Sequence, residues 1–480
     1  MRERDDAARA GGWRHRVLVA LPVLVLGALA AGSTAIAAGL APPPPAEASD
    51  GRTPLDVPLL SVRRGLATVA DAVAHRRLVG GMEQILAGLP ADTCLTVEAG
   101  DVRFAHRADD PQAPASSIKI LTGVAALLAL GEDHRFVTTV ATAARPAGGV
   151  VAGDLHLIGG GDPLLAQAEY VARYPGPQQL SDLRALARAV AAAGVTRVEG
   201  AVVGDDSRYD AERYHPAWPS RFIAQDQTGP LSALMVNDGF VRWPARGLGP
   251  VEPAPDPAAH AAEVFRLLLE ERGVVVAAGS RSGPAPAGAP VVAEHRSPPL
   301  TEVVGQMLAQ SDNATAELLL KELGRRVGGT GSFAAGAVAA TQVLTDAGFD
   351  MTGVSVVDGS GLAPGNALDC DLLMELLSHP ATADTIRDGL AVAGETGTLA
   401  DRFIGSPAAG LVRAKTGTLN QVTALAGLVT TAGAGESTFA LVVNVPASER
   451  IGLEVVAAQQ RLAELLVAHP DRPDLSGFAP

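Results

Sequence analysis

Residues 112–131, QAPASSIKILTGVAALLALG, decide how the rest of the chain is read. The stretch passes from a polar turn through Pro114 into an uninterrupted apolar helical run, and two serines and a lysine stand at the changeover. Proline just upstream is a helix-start signal. Ser116 and Lys119 lie three positions apart and so share one helical face, whereas Ser117 has Ile120 at that offset. A serine hydroxyl is a weak nucleophile until a base takes its proton, and a lysine whose pKa has been lowered can be that base. The N–H groups of a helix start also favour the negative charge that develops.

Lysine is scarce in this chain: Lys119, Lys321 and Lys415 stand against 35 arginines. Arginine evidently serves wherever only a positive charge is wanted, but a guanidinium stays protonated and cannot replace an ammonium that must release its proton. With 21 serines and three lysines, a Ser-x-x-Lys spacing arises by chance in about one such chain in eight. The pair therefore needs company.

Two further motifs supply it. LAQSDNATAELLL contains Ser311-Asp312-Asn313, and RAKTGTLNQ contains Lys415-Thr416-Gly417-Thr418 at the start of an expected strand. Gly417 would let a substrate lie against the strand edge, and Thr416 and Thr418 put hydroxyls beside a fixed cation, which suits a carboxylate. GETGTLADRF, residues 394–403, repeats the pattern with Glu395 where the lysine would be and reads as a structural turn. Lys321 beside Glu322 reads as a solvated residue on a helix face.

The remaining composition narrows the class. A net charge of −14 argues against nucleic acid as a partner, because phosphate binding needs clustered Lys and Arg. The histidines show no metal-ligand spacing, and no cofactor or metal is implied. Cys94 and Cys370 allow one disulfide, although their apolar neighbours favour buried free thiols. Residues 1–16 are a basic-ended N-region expected in the cytoplasm; residues 17–41 carry no charge and form an export segment, either a membrane anchor or a cleaved signal ending near Ala35-Ile36-Ala37. Residues 42–65 are a Pro-rich linker. Beyond it the order is helix, short strands at TCLTVEAG and DVRFAHRA, then the opening helix; residues 146–296 are β-rich with Gly/Asp turns; helical pattern returns from 297, and two strands and a last helix complete an α/β layer. GGTGSFAAG at 328–336 reads as a loop joining helices.

Ser116-x-x-Lys119, Ser311-x-Asn313 and Lys415-Thr416-Gly417, in this order, resemble the motifs of the penicillin-recognising serine hydrolases, namely penicillin-binding proteins and serine β-lactamases. The separation of 192 positions from Lys119 to Ser311, together with GDLHLIGGGDPLL, VVGDDSRYD and VVDGSGLAPGN, is similar to that of the D-alanyl-D-alanine carboxypeptidase/endopeptidase family, the class C low-molecular-mass penicillin-binding proteins of peptidase family S13. The resemblance implies an α/β (α+β) fold: an antiparallel sheet between helical layers, built from residues 66–145 and 297–472, with 146–296 as a large inserted β-rich domain. It implies Ser116 as acylated nucleophile, Lys119 as base, Ser311 as proton relay to the leaving amine, and Asn313 as holder of the substrate amide. Lys415, Thr416 and Thr418, with Gly417, would receive the terminal carboxylate, and the N–H groups of Ser116 and Thr418 would form the oxyanion hole. The implied enzyme is a serine D,D-peptidase of the cell envelope acting on peptidoglycan stem peptides, with endopeptidase action alongside and β-lactams as covalent inhibitors; residues 17–41, by their own composition, would anchor it in the membrane or direct its export with cleavage. A β-lactamase or esterase on the same scaffold, and a catalytically idle wall-binding protein, are the alternatives.

Overall fold

The computed structural model describes residues 62–474, apart from 175, 245–250 and 434. The export segment and almost all of the expected linker lie outside the described residues. Among the described residues no helix is long and apolar enough to cross a membrane. The first half runs α1 (Val62–Leu86), β1 (Thr93–Ala99), β2 (Val102–His106), α2 (Ile118–Leu130), β3 (Val137–Thr142), β4 (Leu155–Ile158), α3 (Leu183–Ala192) and β5 (Val202–Asp205). Then come α4 (Pro257–Glu270), β6 (Ser280–Ser282), β7 (Val291–Arg296), α5 (Leu300–Gln310), α6 (Asn313–Gly328), α7 (Phe333–Asp346) and α8 (Cys370–Ser378). The chain closes with β8 (Ala391–Val392), β9 (Val412–Thr418), β10 (Val422–Thr430), β11 (Glu436–Asn444) and α9 (Leu453–Val467); shorter elements lie between these.

The two ends of the chain meet in one antiparallel sheet of order β8-β9-β10-β11-β1-β2, in which β1 pairs with β11 from Thr93↔Val443 to Ala99↔Ser437. Its strands are apolar almost throughout because both faces are covered. In β10, Leu425 and Val429 face a core shared with α1 and α9, while Ala424, Ala426 and Leu428 face a second core formed with α2, α5 and α8. The small side chains on the second face let α2, which carries Lys119, lie close to the sheet. The antiparallel sheet between helical layers is therefore present as expected.

The middle of the chain builds a five-stranded mixed sheet, β6-β5-β4-β3-β7, packed against α3 and α4. It takes in β3, at 137–142, so this sheet begins upstream of residue 146. Likewise α1 begins at Val62, inside the span read as linker.

Two expectations are corrected. Cys94 and Cys370 are not free thiols; both are buried, and they form a disulfide joining β1 to the first residue of α8. Lys321 is not solvated: it is 1% exposed, with its ammonium 2.5 Å from Asp210, bonded to the Glu212 carbonyl and 4.1 Å from the Phe333 ring centroid. The reason is that α6 is covered on more than one side. Its Glu322 accepts two bonds from Arg208, at 2.9 and 2.6 Å, and one from the Tyr209 hydroxyl at 2.9 Å, so that VVGDDSRYD docks the middle segment on α6.

Candidate active site

Ser116 is the middle residue of a 3-10 turn, Ala115–Ser117, that runs directly into α2. Ser117 is wholly buried and its hydroxyl donates to the Pro114 carbonyl at 2.7 Å, which makes it the turn's closure and leaves Ser116 the half-buried, reachable hydroxyl. Ala115 holds a left-handed conformation, φ 46°. Two glycines make room for this turn. A Cβ on Gly361 would stand 2.1 Å from the Ala115 carbonyl oxygen, and one on Gly417 2.7 Å from that of Pro114. The need for glycine at 417 thus includes the packing of the nucleophile's own turn, beyond any approach of substrate.

Lys119 is fully buried, and its Nζ has three partners: Ser116 Oγ at 2.9 Å, Asn313 Oδ1 at 2.7 Å and the Ser360 carbonyl at 2.7 Å. Burial lowers its pKa to about 8 against the opposing pull of Asp358, Glu317 and Asp312. A lysine poised there carries a useful fraction of free amine near neutral pH, in contact with the hydroxyl it would deprotonate.

Ser311 and Asn313 sit at a corner between helices. The sequence reads as one long helical stretch here, but Ser311 ends α5 in a left-handed conformation, φ 59°, and Asp312 caps α6 by accepting the N–H groups of Ala314 and Thr315. The corner presents Asn313 to Lys119 through Oδ1 and to the Gln227 carbonyl, 2.7 Å away, through Nδ2. Ser311 and Asn313 line a cavity of about 180 Å³ together with Tyr174, Gln179, Gln227 and Gln310. Among the described residues, Ser311 forms no side-chain hydrogen bond with Ser116, Lys119 or Asn313.

Lys415 is buried on β9, and its Nζ donates to the Thr416 carbonyl at 2.8 Å. Burial, and next the neighbouring Lys119, lower its pKa well below the ordinary lysine value. Among the described residues no carboxylate is paired with Lys415, which leaves its Nζ able to receive one. Thr418 is exposed at the end of β9, while Thr416 donates its hydroxyl to Thr398 Oγ1 at 2.8 Å. Thr398 belongs to GETGTL, the stretch read as a turn; Gly397–Leu399 is indeed a 3-10 turn, and it also steadies Thr416. The sequence reading missed Thr398, and its signal was the repeated Thr-Gly-Thr. It also missed Gln227, and it quoted VVDGSGLAPGN for the resemblance without giving the 358–361 turn a role at the site.

Comparisons with known proteins bear on the family and the fold of the chain. Residues 84–247 and 251–464 match the D-Ala-D-Ala carboxypeptidase 3 (S13) family. The chain is 34% identical over 475 residues to a protein of Mycolicibacterium smegmatis named Carboxypeptidase DacB, covering 94% of this chain and 98% of that one. It is 30% identical over 519 residues to a D-alanyl-D-alanine carboxypeptidase of Actinomadura sp., covering 92% and 89%. Among solved structures, penicillin binding protein 4 (dacB) from Haemophilus influenzae superimposes with a TM-score of 0.67 at 19% identity, over 81% of this chain and 99% of that one, which is a likeness of fold.

Proposed function

The chain belongs to the D-Ala-D-Ala carboxypeptidase 3 (S13) family, and from that premise we propose that Ser116 is its acylated nucleophile and Lys119 the base that activates it. The enzyme is a serine D,D-peptidase that hydrolyses the D-Ala-D-Ala bond of peptidoglycan stem peptides. The observation that carries the residue assignment is the buried Lys119 ammonium, 2.9 Å from Ser116 Oγ and lowered to about 8.

Lys119 in its neutral form takes the Ser116 proton as Oγ bonds to the carbonyl carbon of the penultimate D-alanine. The peptide C–N bond then breaks, the proton on Lys119 passes by way of Ser311 to the leaving amine of the terminal D-alanine, and an acyl-serine remains beside a neutral Lys119. Water, deprotonated by the same base, releases the shortened peptide and returns Ser116. The N–H groups of Ser116 and Thr418 hold the oxyanion, Asn313 the substrate amide, and Lys415 with Thr416 and Thr418 the terminal carboxylate. β-Lactams enter as mimics of D-Ala-D-Ala and stay on Ser116.

Residues 146–296 are read as a domain inserted into the catalytic one. An oxidising location outside the cytoplasm is supported by the Cys94–Cys370 disulfide and by a family whose substrate is the cell wall. Residues 17–41 would hold the enzyme at the membrane or direct its export.

The test is intact-mass and peptide mapping after incubation with benzylpenicillin, beside turnover of a D-Ala-D-Ala pentapeptide. An adduct on Ser116 and release of D-alanine, both absent in Ser116→Ala, are expected. An adduct on another residue, or D-alanine release by Ser116→Ala, would sink the assignment.

A further inference from the structure

A protonated lysine can satisfy three acceptors, and Lys119 has three. Once neutral it keeps two N–H groups and one lone pair. The Asn313 side-chain oxygen and the Ser360 main-chain oxygen can only accept, so they retain the two N–H groups, and the lone pair is left facing the Ser116 hydroxyl, the one partner able to donate. The aim of the base is therefore set by where these two carbonyls stand. Asn313 stands at the first residue of α6. The Ser360 carbonyl stands on a buried turn, so its position is set by the contacts that hold that turn's backbone.

That turn is gripped from two helices. Glu317 of α6 is wholly buried; its Oε1 accepts the Ser360 N–H at 2.8 Å and its Oε2 accepts the Gly359 N–H at 3.1 Å. From α2, Thr122 Oγ1 donates to the Gly359 carbonyl at 2.8 Å. The Asp358 carboxyl closes the far side by accepting from Gly361 and Ala363 N–H, Asn366 Nδ2 and Trp218 Nε1. Glu317 lies four residues after Asn313, on the same face of α6. One helix face thus positions both of the carbonyls that hold the base.

We infer that Glu317 is a positioning residue of the reaction: by holding the Gly359 and Ser360 amides it aims the Ser360 carbonyl at Lys119 Nζ and so turns the lone pair of the neutral base toward Ser116. The inference rests on the reading of Ser116 and Lys119 as nucleophile and base. It gives VVDGSGLAPGN a task in that reaction, performed by its backbone. The carboxyl form matters because two amides on separate oxygens need two acceptors; in Glu317→Gln one amide N–H meets an NH2 group, donor against donor.

The groups that act on Lys119 are Asp358, Glu317 and Asp312, which favour its ammonium form; Glu317 is itself pushed up to about 8 by burial and next by Asp358, and Lys415 is lowered by burial first and by Lys119 next. Replacing Glu317 by Gln removes one of the three groups that raise the Lys119 pKa. The acid limb of the acylation profile should then move to lower pH even as the plateau falls.

The experiment is single-turnover acylation by a fluorescent penicillin across about pH 6 to 10, normalised to folded protein by thermal melting. A misaimed base should lower the plateau of Glu317→Gln about 10- to 100-fold, with the acid limb displaced to lower pH. A plateau within about twofold of wild type, or a lowered plateau with an unmoved limb, overturns the inference. Should Glu317→Gln fail to fold, Glu317→Asp serves: its shortened carboxylate cannot reach both amides, so the plateau falls while the limb stays. A wild-type plateau in Glu317→Asp overturns the inference. Failure of the wild-type enzyme to label on Ser116 is a different result, which removes the nucleophile assignment and the inference with it.

Discussion

In the proposed assignment acylation turns on Lys119, and the burial of that residue has a measurable consequence. The pKa is lowered to about 8 from the ordinary lysine value, and the active form is the neutral one, so acylation should climb as pH rises through about 8 and level off above it. Single-turnover labelling against pH checks this; a rate that falls over that range would mean that the ammonium is the working form. Lys119→Arg keeps the charge but cannot give up its proton. Acylation should fall by about 10³-fold or more, with the melting temperature changed by only a few degrees. The proposed residues were legible in the sequence where a side chain is what matters, as with Ser116, Lys119, Asn313 and Lys415, because lysine scarcity and motif order single them out. Ser360 was illegible as an actor because it works through its carbonyl, which every residue possesses. Lys321 was misread because a lysine beside a glutamate on a helix looks solvated until a second segment is seen to cover it.

At the next scale up, the site consists of four element ends brought together: the 3-10 turn before α2, the corner between α5 and α6, the 358–361 turn and the tail of β9. Helices and strands were legible from period and composition, since α2, β9, β10 and α9 bury whole faces. The corner was not, because apolar period continues across Ser311 and only the Asp312 cap breaks it. Steric fit between the ends is tight enough to test. Gly361 has φ 89°, and a Cβ there would meet the Ala115 carbonyl oxygen at 2.1 Å. Gly361→Ala must both strain its own backbone and push the turn that carries Ser116. A stability loss of about 2–4 kcal/mol is expected, together with acylation reduced at least about 10-fold because the nucleophile is displaced. Urea denaturation and penicillin labelling on the same preparation measure both, and a variant as stable and as fast as wild type would mean that the turn yields without consequence.

Taken whole, the molecule is held by two ties that span long stretches of chain. The Cys94–Cys370 bond links positions 276 apart, and by the chain-entropy account a loop of that size is worth up to about 5 kcal/mol. Reduction should therefore lower the urea midpoint, and a reduced sample with an unchanged midpoint would show that the packing of β1 against α8 suffices alone. The second tie holds the middle segment to α6. Glu322 is 3% exposed along its side chain and is the shared acceptor of Arg208 and of the Tyr209 hydroxyl. In Glu322→Leu the Arg208 side chain, 28% exposed, can turn its guanidinium to water, but the buried Tyr209 hydroxyl loses its acceptor. A loss of about 2–4 kcal/mol follows. The same segment supplies the Gln227 carbonyl to Asn313 Nδ2, so a loosened dock should also free the Asn313 amide to rotate and slow acylation several-fold at temperatures where the protein remains folded. Labelling rates at low temperature, read beside the urea midpoint, separate the two effects. If Glu322→Leu loses stability yet acylates at the wild-type rate, the middle segment is a passenger on the catalytic layer; a parallel loss makes it a structural partner of the base.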